Sequence, residues 1–165
     1  FLMAQYLVLT AMGADRTGAV SELTKLASEC GCNILDSRMA IFGLEFTFIM
    51  LLNGNARAIN QIENRLPAIA HGLELITMMK RTSEYTPQEF THHYQVEYAG
   101  IDQPGVLKAV TAFFATRNID ISSLNMKIED VFVASSNYLE SKKERNLASL
   151  GKSKLIIALK QRLEK

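Results

Sequence analysis

Apolar and polar positions alternate through Tyr6-Leu7-Val8-Leu9-Thr10, a strand pattern, and the run ends in "GADRTG", residues 13–18. Beyond it, apolar residues fall at Val20, Leu23, Leu26, Ala27 and Cys30. Those steps of three, three, one and three draw one stripe along a helix, and Gly31 stands where such a helix stops. "CNILDSRMAIF" and "EFTFIMLL" follow, two β-rich runs parted around Gly43, which predicts a hairpin. A second helix is predicted over Ala56–Ile69, with Ile59, Ile62, Leu66 and Ile69 on one face, and "LELITMMK" closes the segment as a strand. The predicted order is βαββαβ.

The same pattern then returns. Adding 87 to Gly13, Asp15 and Gly18 gives Gly100, Asp102 and Gly105. The helix positions Val20, Leu23, Leu26 and Ala27 become Leu107, Val110, Phe113 and Phe114, all apolar, and Asn33-Ile34 becomes Asp120-Ile121. The chain is an internal duplication. The fold class is α+β: two tandem ferredoxin-like βαββαβ domains, each an antiparallel sheet with its helices on one face. We expect a first domain over 4–82, a polar linker over 83–92 that contains Pro87, and a second domain over 93–165. After Ile128 the chain parses as strand (Val131–Ala134), helix (Tyr138–Leu150) and strand (Leu155–Leu159), which would complete the second unit with short elements. The uncovered face of such a sheet calls for another sheet or an oligomeric partner.

Composition narrows the function classes. With 165 residues, 48% hydrophobic and 21% charged, the chain is an ordinary globular protein, and it holds no run of about 18 apolar residues that would cross a membrane. No basic stretch followed by an apolar one stands at the start, so a cytoplasmic rather than secreted protein is expected. Cys30 and Cys32 are too close for a disulfide framework, and reduced thiols are expected. Net charge is +1 but uneven, with a basic excess after residue 138 that lacks the aromatics and motifs of a nucleic-acid reader. A solvated face is the simpler account of it.

The repeated Gly-x-Asp-x-x-Gly turn leads from a strand into a helix. Unpaired amides in a helix's first turn favour an anion, and Gly18 and Gly105 leave room for a close approach. Pro104 sits near a position where a missing N–H costs nothing. Asp15 and Asp102 can accept hydrogen bonds from an ammonium group, so an amino acid fits chemically. A second account stays open, in which Asp15 merely caps the helix and the glycines make the turn.

"GADRTGAVSELTKLASECGCNI" resembles the ACT-domain signature, in which Asp-Arg-Pro-Gly precedes the first helix and Asn-Ile opens the second strand; "GIDQPGVLKAVTAFFATRNIDI" resembles it too. Thr17 replaces the proline, a change that leaves the turn available. "NILDSRMAIFGLEFTFIMLLNG" and "LELITMMKRT", followed by a second ACT unit, resemble the tandem-ACT family of glycine cleavage system repressors over residues 4–128. That resemblance implies a non-enzymatic regulator that responds to glycine. It would act on the glycine cleavage operon through a LysR-type activator without binding DNA itself. It also implies ligand-binding positions at Asp15, Arg16, Thr17, Gly18, Asn33 and Ile34 in the first unit. In the second they are Asp102, Gln103, Gly105, Val106, Asp120 and Ile121. Asn33 can donate and accept, as a zwitterion requires, whereas an ionised Asp120 would repel a carboxylate. Arg16 can pair with a carboxylate and Gln103 offers only neutral bonds, so the first unit is the better site.

Other constellations fall short. His92-His93 and His71 have no carboxylate or cysteine to complete a metal set. Gly151-Lys152-Ser153 lacks the earlier glycine of a phosphate loop. Ser37 beside Asp36 has no nucleophile elbow around it. No cofactor and no metal are expected. Two alternatives remain: a regulatory subunit of an amino-acid or one-carbon enzyme, and a tandem scaffold, most simply a homodimer through sheet edges, that no longer binds ligand.

Overall fold

The computed structural model describes residues 3–14, 16–84, 90–101, 103–129 and 152–162, in two compact units, Phe1–Thr86 and Pro87–Lys165. The first contains β1 (Gln5–Ala14), α1 (Ala19–Glu29), β2 (Asn33–Phe42), β3 (Glu45–Gly54), α2 (Ala56–Gly72) and β4 (Ile76–Thr82). Its strands make one antiparallel sheet in the order β2-β3-β1-β4, the predicted ferredoxin-like arrangement.

Alternation along the two middle strands builds the core. Leu7 lies opposite Leu52, Leu9 opposite Met50 and Ala11 opposite Phe48, and all six side chains are buried. Onto that face α1 brings Leu23, Leu26 and Ala27, and α2 brings Ile59, Ile62 and Leu66. Each fully buried leucine or isoleucine contributes about 1.5–3 kcal/mol relative to exposure.

The helix ends are made by local chemistry. α1 closes with Gly31 at φ 80°, the Gly31 amide donating to Ser28 O at 3.0 Å and the Cys32 amide to Ala27 O at 2.9 Å. The side-chain oxygen of Asn55 accepts from the Ala58 amide at 2.8 Å and starts α2. α2 continues to Gly72, three residues past its predicted end, because its buried stripe continues to Ala70 while Pro67 lies on the exposed face. Arg81 on β4 then fastens three elements, donating to Glu63, to Asn60 at 2.7 Å and to Gln5 at 3.1 Å. Hydrogen bonding to Glu63 raises its pKa further. Both cysteines are buried free thiols, and burial, then the neighbouring Cys30, pushes the Cys32 thiol up.

The second unit contains β5 (Phe90–Ile101), α3 (Val106–Ala115), β6 (Asp120–Glu129) and β7 (Lys152–Arg162). Strand β5 starts three residues inside the stretch expected as linker. The sheet order is β5-β7-β6, with β7 antiparallel to both neighbours. This corrects the sequence reading of Leu155–Leu159. The parse makes it the unit's fourth strand, whereas β7 takes the central position that β3 holds in the first unit. Its alternation explains the place: Leu155, Ile157 and Leu159 are all buried, as a strand paired on both sides requires. The expected strand at Val131–Ala134 and helix at Tyr138–Leu150 lie outside the described residues.

The helix stripe also departs from the repeat at one position. Phe113 corresponds to Leu26, yet Leu26 is 2% exposed and Phe113 51%. In the first unit α1 packs beside α2; among the described residues no second helix stands beside α3. The Phe113 ring instead takes the Arg117 guanidinium 3.6 Å above its centroid. Among the described residues, no helix is long and apolar enough to cross a membrane.

We expect Ile62→Ala to destabilise the first unit by about 2–5 kcal/mol, the cost of lost burial plus a residual cavity. Urea unfolding followed by amide exchange of β1 and β3 measures it.

Candidate functional site

Arg16, Thr17, Gly18 and Ala19, which lead into α1, form a turn closed by the Ala19 amide donating to Arg16 O at 3.4 Å. Gly18, its third residue, has φ 91° and ψ −7° and is also the N-cap of α1. Thr17 is not among the positive-φ residues, so the turn is type II, which wants proline second and glycine third. The second unit repeats it: the Val106 amide donates to Gln103 O at 3.4 Å, and Gly105 has φ 86° and ψ 0°. Pro104 therefore occupies the second turn position rather than the first residue of the helix. A cap glycine has no side chain, and among the described residues the amides of Val20 and Ser21 receive no backbone or side-chain partner. Asp15 and Asp102 lie outside the described residues.

The remaining candidates stand elsewhere. Asn33 and Ile34 open β2, where Asn33 lies opposite Asn53. Ala14, just before the turn, lies opposite Glu45, at the other end of β3. Eight residue steps of β3, from Glu45 to Asn53, separate the two ends, roughly 27 Å at the usual rise. Within one unit the structure thus brings Arg16, Thr17 and Gly18 together and holds Asn33 and Ile34 apart from them. The second unit has the same layout. Gln103, Gly105 and Val106 sit at the turn, and Asp120, opposite Lys160, begins β6 with Ile121 at the far end. Both strands bulge at one matching place, between Ile34 and Asp36 and between Ile121 and Ser123. A bulge at the start of a strand re-aims the side chains on either side of it.

Electrostatics at the turn involve a residue that the sequence reading missed. Arg16 donates to Glu74 Oε2 at 3.1 Å. Glu74 holds a left-handed conformation just after α2, at φ 56°. Gly13 makes this approach possible, since a Cβ there would meet the Leu75 side chain at 2.7 Å. The ion pair is exposed on both sides and contributes little stability, but it fixes where the guanidinium rests. Asn53 was also missed. Its carboxamide oxygen is buried with no hydrogen-bond partner, beside Asn33 and Tyr6 in the register. The alternation of "FIMLLN" puts Asn53 on the face away from the helices, and that was the available signal. A hollow of about 560 Å³ lies at this end of the sheet, lined by Tyr6, Leu35, Leu51 and Thr82 among others. Among the described residues no group of three or more histidine, cysteine or carboxylate side chains could hold a metal.

Comparison with known proteins bears on the fold and the family. A family model for the ACT domain matches residues 5–80. The chain is 44% identical over 119 residues to the glycine cleavage system transcriptional repressor of Escherichia coli strain K12, covering 72% of this chain and 63% of that protein. It thus spans a little under two thirds of the length of this curated relative. A crystal structure provisionally assigned as a glycine cleavage system transcriptional repressor superposes with a TM-score of 0.69 at 34% identity, over 99% of this chain and 84% of the other. A protein of unknown function from Galdieria sulphuraria shares the fold at a TM-score of 0.72 and 22% identity, over 97% of this chain and 84% of its own. The chain belongs to the ACT-domain family of glycine cleavage system transcriptional repressors.

Two substitutions test the turn. Gly18→Ala, which meets open space but a positive φ, is expected to lower stability by about 1–2 kcal/mol. Thr17→Pro, which copies Pro104, is expected to raise it by about 0.4–1 kcal/mol. Thermal melts of the two variants read both signs.

Proposed function

We propose, on the premise of that family membership, that the chain is an amino-acid-responsive regulator and not an enzyme. It lowers transcription of the glycine cleavage operon in the cytoplasm by associating with a LysR-type activator, and it makes no operator contacts of its own. The observation that supports this reading is the duplicated type II turn with glycine as the N-cap, whose first-turn amides have no side-chain cap among the described residues. A carboxylate is an acceptor that suits such amides. The ammonium end of the same ligand needs oxygen acceptors, and Asn33 with the unpartnered oxygen of Asn53 supplies them. Because the two halves lie at opposite ends of one sheet, a single glycine reaches both only where the turn of one ACT unit meets the strand start of another. The first unit is the stronger site: Asp120 stands in the second where Asn33 stands in the first.

Calorimetric titration with glycine and a panel of larger amino acids tests the ligand, and capture of the LysR-type activator with and without glycine tests the partner. The expected result is glycine binding that Asn33→Ala weakens by about tenfold, a hydrogen bond or two to a charged group, and capture that changes with glycine. No heat with any amino acid at millimolar concentration would overturn the ligand. Sequence-specific retardation of operator DNA by the isolated protein would overturn the indirect mechanism.

A further inference from the structure

Each described helix ends on a residue in the left-handed region, and the three residues are not alike. After α1 it is Gly31 at φ 80°, after α3 Asn118 at φ 53°, and after α2 Glu74 at φ 56°. The hydrogen bonding is the same in all three. The left-handed residue's amide donates back to Ser28 O, Ala115 O and His71 O, and the next amide to Ala27 O, Phe114 O and Ala70 O. Glycine and asparagine suit that backbone, and glutamate does not. A glutamate held there points to work for its side chain, and that side chain meets Arg16 at 3.1 Å.

Arg16 opens the turn that leads into α1, and its guanidinium is the group there that can pair with a ligand carboxylate. In the structure it rests on Glu74, a carboxylate of the chain's own. The two side chains are 45% and 79% exposed, so water screens the pair and another carboxylate can displace it. The other arginines near the helices are tied down more firmly. Arg65 donates to Glu29 at 2.8 Å and to Cys30 Sγ at 3.8 Å, and Arg81 is shared by Glu63, Asn60 and Gln5. Arg16 is held by one partner among the described residues. In the second unit Gln103 stands in its place, so that turn holds no cation to compete for.

We propose that Glu74 is a built-in competitor at the first turn, holding the Arg16 guanidinium until an amino-acid carboxylate takes it over. Glu74 is a positioning residue, acting on the ligand through Arg16. The proposal rests on the reading of this turn as an amino-acid site and adds how that site is regulated. Takeover breaks one ion pair as it forms another, so the ligand gains only the difference between them. The guanidinium is available for part of the time, and apparent affinity falls by that fraction. Such a site answers to a ligand at high concentration rather than to traces of it. Takeover also cuts the tie between the β1–α1 turn and the α2–β4 turn. The change arrives at the start of β4, an edge strand that begins two residues after Glu74.

Calorimetric titration of the full chain with glycine tests it, on wild type, Glu74→Gln, Arg16→Gln and the double variant. Glu74→Gln is expected to tighten binding by about two- to fivefold, the range that an exposed ion pair spans. In the Arg16→Gln background the same change is expected to do nothing. NMR of the Arg16 Nε–H gives a second readout, which both Glu74→Gln and saturating glycine are expected to move. Circular dichroism confirms that each variant is folded. Binding that Glu74→Gln leaves unchanged or weakens overturns the proposal. An equal gain without Arg16 also overturns it, since it marks a general effect of charge. An Arg16 signal indifferent to Glu74→Gln overturns it too, and leaves the amino-acid reading standing. If neither wild type nor Glu74→Gln binds any amino acid at millimolar concentration, the reading of the turn falls and the proposal with it. Binding by Glu74→Gln alone supports both.

Discussion

The first unit depends on one constraint: on β1 and β3 every second residue must be buried. Leu7, Leu9 and Ala11 meet Leu52, Met50 and Phe48 in register, and a slip by one residue would turn all of them to the other side. That register places both helices on one layer, since the apolar stripes of α1 and α2 have only one face to cover. The chain must then climb from the end of β1 to the helix layer within four residues. A type II turn does this when its third residue tolerates a positive φ, which is why Gly18 and Gly105 stand where they do. The candidate site is thus a consequence of core packing: the turn that solves the connection puts a glycine, with no side chain to cap the helix, at the N-cap.

Much of this was legible in the sequence. The helical stripe, the hairpin at Gly43 and the shift of 87 residues fixed the topology of the first unit and the repeat of the second. The correspondence extends to details that no residue pattern announced. Asn118, at φ 53°, stands where Gly31 does, and the Ile119 amide donates to Phe114 O as the Cys32 amide does to Ala27 O. Asparagine tolerates the left-handed region better than other side chains, so the same helix stop survives the loss of glycine.

What was not legible was pairing at a distance. "LIIAL" announces a strand by composition, but only the register tells that it lies between two others rather than at the edge. An order-preserving parse made it the fourth strand, and two-sided hydrogen bonding puts it between β5 and β6 instead. Glu74 and Asn53 escaped for a similar reason. The alternation tells which face Asn53 takes, but not that folding sets it beside Asn33, nor that it sets Glu74 beside Arg16. Phe113 shows the converse limit. Its position in the helical stripe was read correctly, while its exposure depends on a neighbouring element that the stripe does not encode.

The duplication has kept backbone devices and released side chains. Turn, helix stop and strand bulge recur at equivalent places in both units. The groups that would discriminate a ligand or a partner do not: Arg16 becomes Gln103, and Asn33 becomes Asp120. Backbone geometry is hard to change one residue at a time, because a turn that loses its positive-φ glycine or a strand that loses its bulge shifts everything downstream. Exposed side chains change freely. Two units with one scaffold can therefore carry different surfaces.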